Sequence, residues 1–206
     1  MEAIVRAIDV GFGNTKYVVA AQGGRVECAH FASIAYDSAH DNTGDALGSK
    51  RKTVCVPVGG MWYEVGPDVA LAADGFVGRN HHDDYMRTHE YRAFTAGALH
   101  FMKVDRVDLL VLGLPVADYM RRRAELQKAM TGTFEVGRNR KVEVKRVLVV
   151  AQPQGAMYAV FGDQANAKLR QGRTLVIDAG SRTFDWLVTL DSKVVGKMSD
   201  SVNRGV

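Results

Sequence analysis

The 206-residue sequence has two cysteines, four prolines and no long apolar run. Cys28 and Cys55 are too few for a disulfide framework, so we expect a reducing, cytoplasmic setting. No stretch reaches the ~20 apolar residues that a membrane-spanning helix needs, so we expect no membrane partner. Residues 1–6 lead straight into a predicted strand and do not resemble a signal peptide.

The sequence also has little excess charge of one sign. The net charge is +4 at pH 7 and the pI is about 9.1. Such a small excess gives weak support for nucleic-acid binding, so we expect no direct nucleic-acid contact. Hydrophobic residues make up 47% of the sequence, which is ordinary for a globular protein of one large or two small domains.

One segment occurs twice. Residues 8–19 read IDVGFGNTKYVV and residues 177–188 read IDAGSRTFDWLV, at a constant offset of 169. Each copy predicts a strand, a glycine-containing turn and a second strand, with Asp9 or Asp178 at the end of the first strand. Turn N–H groups suit a phosphate chain. Two such hairpins facing each other across a cleft could hold a nucleoside triphosphate and its magnesium ion.

The rest of the chain alternates strand and helix signals, which predicts an α/β fold with mixed sheets covered by helices. We predict helices over residues 85–102, 116–130 and 153–166, strands over 107–112, 141–150 and 193–198, and exposed loops over 38–52 and 75–84. The sequence ends 18 residues after the second copy. A second domain like the first does not fit there, so we expect a fragment or a natural truncation.

The ordered pair of hairpins resembles the phosphate-1 and phosphate-2 motifs of the superfamily of actin, sugar kinases and heat-shock chaperone ATPases. The stretch VLGLPVADY at 111–119 resembles bacterial plasmid-segregation actin-like proteins of the ParM/StbA type, as do FAS at 31–33 and YEVG at 63–66. The resemblance implies a duplicated actin-like, ribonuclease H-like fold. Domain I would cover 1–152, and a connecting helix with the first part of an incomplete domain II would cover 153–206.

The resemblance also implies site residues. Asp9 and Asp178 would hold Mg²⁺ through water, and Asp178 would also polarise the attacking water. The implied phosphate-binding residues are Gly11, Gly13, Asn14, Thr15 and Lys16 in the first hairpin and Gly180, Ser181, Arg182 and Thr183 in the second. The plainer interpretations are a turn-capping role for Asp9 and a solvated strand position for Lys16. Arg182 would contact phosphate or point to solvent, and Asp185 would be structural.

Gln152 is the predicted catalytic residue beside Asp178. It follows an apolar strand and precedes a helix, where the resemblance places a Gln in actins and mostly a Glu in chaperones and ParM-type proteins. A Gln orients water without removing its proton, so we expect slow hydrolysis. The alternatives are a helix-capping role or a buried polar contact, and Gln154 is a neighbouring candidate.

Two further clusters of charged residues and histidines do not predict a functional site. Residues 81–84 read HHDD, but adjacent histidines on a loop rarely converge on one metal ion, so we expect no metal site there. The basic run over 138–146 predicts the solvated face of a hairpin.

By resemblance, the protein binds ATP and Mg²⁺, polymerises into filaments and segregates plasmid DNA through a DNA-binding adaptor protein. Two alternatives stay open. One is a sugar-kinase-like or chaperone-like ATPase of the same superfamily. The other is a truncated, non-enzymatic interaction module.

Overall fold

A computed structural model of the protein describes residues 2–38, 51–72, 84–162 and 164–204. The chain divides into two compact units. The first unit comprises Met1–Val111 and Met130–Val147, and the second comprises Leu112–Ala129 and Leu148–Val206. The predicted loops at 38–52 and 75–84 and the histidines of the HHDD cluster lie largely or wholly outside the described residues.

The described elements are short. The strands are β1 Val5–Val10, β2 Asn14–Gln22, β3 Arg25–Ala32, β4 Tyr36–Ser38, β5 Val54–Val58, β6 Met61–Val65, β7 Arg106–Val107, β8 Leu109–Leu114, β9 Gly132–Glu135, β10 Lys141–Val144, β11 Val147–Ala151, β12 Arg173–Ala179, β13 Phe184–Leu190, β14 Lys193–Val194 and β15 Asp200–Val202. The α-helices are α1 His89–Phe101, α2 Val116–Ala129 and α3 Gln152–Gly162. Short 3-10 helices occupy Val69–Ala72, Tyr85–Arg87, Gln164–Arg170 and Gly196–Met198.

These strands form four sheets. The largest has the order β11-β8-β1-β2-β3, and smaller sheets have the orders β7-β10-β9 and β4-β6-β5. A fourth sheet has the order β12-β13-β14, with β15 also paired to β13. The mixed α/β architecture therefore confirms the predicted fold class. None of the helices in the described part of the chain is long and apolar enough to cross a membrane.

An aromatic cluster forms the core of the first unit. The rings of Tyr17 and Phe31 lie 5.9 Å apart, and the Phe31 ring lies 6.4 Å from Phe94 and 6.1 Å from Phe101 on α1. Gly97 lets α1 approach the sheet, because a Cβ there would lie 2.5 Å from Cγ2 of Val65. The aromatic spacing that predicted helix 85–102 therefore marks a core-facing helix.

Helix α1 begins later than predicted. Residues 85–87 form a 3-10 helix, and the α-helix starts at His89 because Thr88 caps it: Tyr91 N donates to Thr88 Oγ1 at 3.2 Å. The predicted strand 141–150 is two strands, β10 and β11, which belong to different sheets. The predicted helix 153–166 gives way to a 3-10 helix after Gly162, and the predicted strand 193–198 keeps only two strand residues.

The second unit is built around α3 and the hairpin of β12 and β13. Met157 and Phe161 of α3 pack with Leu187 of β13, and Val176 of β12 joins them. Side chains at alternate positions of a strand point to opposite faces. Helix α3 therefore covers the face of the hairpin that carries Val176 and Leu187.

Candidate functional site

The first repeat forms an antiparallel hairpin. Asp9 of β1 lies opposite Lys16 of β2, between the pairs Ile8–Tyr17 and Val10–Thr15. The turn is closed by a hydrogen bond from Gly11 N to the carbonyl of Asn14 at 3.1 Å.

The second repeat forms the same hairpin 169 residues later. Asp178 lies opposite Asp185, between the pairs Ile177–Trp186 and Ala179–Phe184. Gly180 N donates to the carbonyl of Thr183 at 2.9 Å. The strand–turn–strand prediction is confirmed for both copies, and the repeat extends to register and turn closure.

The first glycine of each turn lies close to backbone of the same turn. A Cβ on Gly11 would lie 3.0 Å from the carbonyl oxygen of Asn14, and one on Gly180 would lie 3.1 Å from that of Thr183. These oxygens also accept the turn-closing hydrogen bonds. Tight turn geometry therefore accounts for these glycines, and their contact with phosphate stays a prediction.

Lys16 forms an ion pair with the carboxylate of Asp9. Lys16 Nζ lies 3.4 Å from Asp9 Oδ2, and the two side chains are 65% and 38% exposed. An ion pair this exposed contributes little to stability, because water and salt screen its charges. Asn14 is also exposed, whereas Ile8, Val10, Thr15 and Tyr17, on the opposite face of the hairpin, are buried.

The buried side chains of Thr15 and Ser33 support the first turn through hydrogen bonds. Ser33 Oγ donates to the carbonyl of Gly11 at 2.7 Å and lies 3.0 Å from Thr15 Oγ1. Ser33 N donates to the carbonyl of Gly13 at 3.1 Å. Thr15 is fully buried, a placement that suits support of the turn better than the predicted phosphate contact.

Tyr85 is a second support for the same turn. Its ring stacks on Phe12 with centroids 4.2 Å apart, and its hydroxyl donates to the carbonyl of Gly11 at 3.3 Å. Burial raises the pKa of Tyr85 above its usual value, so the hydroxyl remains a donor. The sequence contains FAS at 31–33 as a family-like piece, but no local signal links Ser33 or Tyr85 to the turn.

The second turn has a more open tip. Ser181 is exposed, and Asp178, Arg182 and Thr183 are half-buried. Asp178 is the last residue but one of β12, as Asp9 is of β1. Helix α3 packs against both β12 and β13.

Asp185 has the structural role suggested for it. It is buried, and its Oδ1 accepts a hydrogen bond from Val116 N, the first residue of α2, at 2.7 Å. Ser201 Oγ accepts from Ala117 N at 2.7 Å. Two side chains of the second hairpin's sheet therefore satisfy the free N–H groups that begin α2. This contact fixes the start of the helix that follows the GLP stretch.

Gln152 and Gln154 have different surroundings. Gln152 is the first residue of α3 and is half-buried. Gln154 Oε1 accepts a hydrogen bond from Ala151 N at 2.9 Å. A Gln at the third helical position that reaches back to the residue before the helix forms half of a capping box. Gln154 therefore has a structural task.

The chemistry of the hairpins fits a nucleotide with Mg²⁺. Each offers one carboxylate at a strand end, and Mg²⁺ in nucleotide sites takes one or two carboxylates and keeps several waters. Within the described ranges, no group of three or more His, Cys, Asp or Glu side chains could form an all-protein metal cage.

The basic run at 138–146 begins in the turn between β9 and β10 and continues through β10. Within it, Lys141 Nζ forms an ion pair with Glu135 Oε1 at 3.2 Å.

Comparison with solved structures identifies the fold. The chain is similar to the apo psk41 ParM protein at 17% identity and a TM-score of 0.72, over 100% of this chain and 67% of that one. It is similar to an AlfA filament bound to AMPPNP at 20% identity and a TM-score of 0.68, over 100% of this chain and 71% of that one. It is also similar to an archaeal actin homolog, Ta0583, at 22% identity and a TM-score of 0.68, over 98% of this chain and 62% of that one. The chain thus spans about two thirds of the length of these structures.

Sequence comparison identifies the family. No curated protein matches the chain. The family model for the N-terminal domain of actin-like proteins matches residues 7–155, which include the first copy of the repeat, the GLP stretch and Gln152. The chain therefore belongs to the family of actin-like proteins.

Proposed function

We propose that this chain is the nucleotide-binding part of an actin-like ATPase that polymerises into filaments for plasmid segregation. The observation that carries the proposal is the matched pair of hairpins. Asp9 and Asp178 occupy the same register position, each followed two residues later by a glycine whose turn is closed in the same way. A turn that only reversed the chain would not need the same carboxylate in both copies.

Each hairpin has groups for one part of Mg-ATP. Lys16 and Asn14 would bind phosphate oxygens, because both are exposed on the face that carries Asp9. Asp9 and Asp178 would hold Mg²⁺ through water, and the ion would neutralise charge on the phosphates when bound. The second turn would add its backbone N–H groups and the side chains of Ser181 and Arg182.

Polymerisation and plasmid segregation rest on similarity. The AlfA structure is a filament bound to AMPPNP, and a second AlfA filament comes from a Bacillus subtilis plasmid. These proteins share the fold of this chain. A DNA-binding adaptor protein would be the second partner of such a filament.

The first experiment measures binding and assembly separately. Calorimetric titration with Mg-ATP should give saturable binding that Asp9→Asn and Asp178→Asn each weaken by about tenfold or more. Asp105→Asn, at a side chain that is 92% exposed, is the matched control and should bind normally. Light scattering and pelleting with Mg-ATP then test polymerisation. A folded chain without nucleotide binding would point to the non-enzymatic interaction module.

Gln152 and Gln154 provide a matched pair for hydrolysis. In an ATP-hydrolysing preparation, Gln152→Ala should lower the rate of phosphate release by about 10²-fold, because the attacking water loses its orientation. Gln154→Ala should leave that rate unchanged and lower the free energy of unfolding by about 1 kcal/mol through loss of the helix cap. The opposite result would move the catalytic role to Gln154.

A further inference from the structure

His30 extends the row of side chains that begins with Asp9. In the first hairpin, Asp9 lies opposite Lys16, and Lys16 lies opposite His30 on β3. Residues directly opposite each other in antiparallel strands have side chains on the same face, with Cβ atoms roughly 4.5–5.5 Å apart. His30 is exposed, and β3 is the edge strand of its sheet. The row therefore places the His30 side chain next to that of Lys16, on the same face of the sheet.

The second hairpin has a corresponding row of side chains, but there the second and third members accept hydrogen bonds. Asp178 lies opposite Asp185, and Asp185 lies opposite Ser201 on β15. There the second and third members are hydrogen-bond acceptors, and both accept from the first N–H groups of α2. In the second unit, this row therefore binds a group with positive partial charge.

The corresponding positions in the first unit carry donors. Lys16 and His30 replace Asp185 and Ser201, and both are exposed. Lys16 carries three N–H donors, and an imidazole donates at least one hydrogen bond in either protonation state. On the same face, Asn14 lies opposite the small side chain of Ala32. A row with these donors suits an anion.

We propose that His30 is a further phosphate-contacting residue, which donates from its ring to the oxygens that Lys16 also faces. This inference rests on the proposed function of the first hairpin. The plainer interpretation is a solvated histidine on an edge strand.

The test compares affinities of the whole chain for Mg-ATP and for inorganic tripolyphosphate by calorimetry. His30→Ala should weaken both by about fivefold, the scale of one exposed charge-assisted hydrogen bond. His30→Lys should restore most of the affinity, because it returns a donor. Cys28→Ala is the matched control, since Cys28 is an exposed residue two positions earlier on the same strand and face. The thermal midpoint should be unchanged in all three variants.

The outcomes separate this inference from the proposed function. If the wild-type chain binds Mg-ATP and Lys16→Ala weakens binding while His30→Ala does not, the role of His30 is wrong and the nucleotide site stands. Equal losses in His30→Ala and Cys28→Ala would also overturn it, because they would indicate disturbance of the edge strand. A folded wild-type chain that binds neither ligand would overturn both proposals.

Discussion

At the scale of single residues, the aligned positions of the two hairpins serve different ends. Lys16 is exposed and pairs loosely with Asp9, whereas its counterpart Asp185 is buried and caps α2. A buried carboxylate that accepts from a helix N-terminus contributes far more than an exposed ion pair, because its partners have no access to water.

We expect Asp185→Ala to lower the free energy of unfolding by about 2 kcal/mol, since it leaves the Val116 N–H group without its acceptor. Urea titration followed by circular dichroism measures this. Asp105→Ala, at an exposed site, should change stability by less than about 0.5 kcal/mol. Equal effects at the two positions would show that the cap contributes nothing.

His100 makes stability depend on pH. Burial lowers the pKa of His100 below its usual value, against an opposing effect of its hydrogen bond to the carbonyl of Val136 at 2.6 Å. The folded chain then binds fewer protons than the unfolded chain between the two pKa values. Stability should therefore fall as the pH drops below about 6.5, the ordinary histidine pKa.

The measurement is the urea midpoint at several pH values between 7.5 and 5.5, in wild type and His100→Gln. The variant should show a smaller decrease toward acid, because it cannot take up the proton. An unchanged slope in His100→Gln would contradict the assignment.

At the scale of elements, the space around each glycine decides whether a Gly→Ala substitution stabilises or destabilises the fold. Gly11 and Gly180 face carbonyl oxygens of their own turns at 3.0 and 3.1 Å from an added Cβ. Gly155 of α3 has no neighbouring atom within 4 Å of such a Cβ. The same substitution should therefore have opposite signs at the turns and in the helix.

We expect Gly11→Ala and Gly180→Ala each to lower the free energy of unfolding by about 1–2 kcal/mol through crowding. Gly155→Ala should raise it by about 0.5–1 kcal/mol, because alanine loses less backbone entropy in a helix. Thermal and urea unfolding of the three variants test the signs. Stabilisation by all three would mean that the turns have room to relax.

At the scale of the whole molecule, apolar exposure is unequal between the two units. Among the described residues, the exposed large apolar side chains of the first unit are Val5, Val26 and Leu71. The second unit exposes the remaining ones, namely Met120, Leu148, Tyr158, Val160, Leu169, Leu175, Ile177, Leu190, Val194, Met198 and Val202. Leu175 and Ile177, 57% and 56% exposed, lie on one face of β12, a strand whose described pairing is with β13 alone.

Such an edge favours association of copies. We expect the double variant Leu175→Thr and Ile177→Thr to reduce self-association without nucleotide, measured by sedimentation velocity over rising protein concentration. Val5→Thr with Val26→Thr, in the first unit, is the control and should associate as wild type does. Equal behaviour of the two double variants would show that β12 is not the contact.

The sequence predicts what depends on local pattern. The repeat at an offset of 169 was enough to predict both hairpins, because strand alternation and turn glycines are local signals. The cap by Thr88 sets a start of α1 that apolar periodicity alone could not place. The contacts of Ser33, Tyr85 and Ser201 with distant backbone could not be predicted, since they join residues 22, 74 and 84 positions apart.

The cap of α2 bears on how the chain folds as it is synthesised. Val116 and Ala117 receive acceptors from residues 69 and 84 positions later in the chain. At 5–20 residues per second, the ribosome needs roughly 4–17 s to supply the second of them. Until Asp185 is made the nascent α2 has neither of these acceptors, and until Ser201 is made it still lacks the second. Slow codons over residues 130–200 would therefore lengthen the stage at which water alone satisfies these two N–H groups.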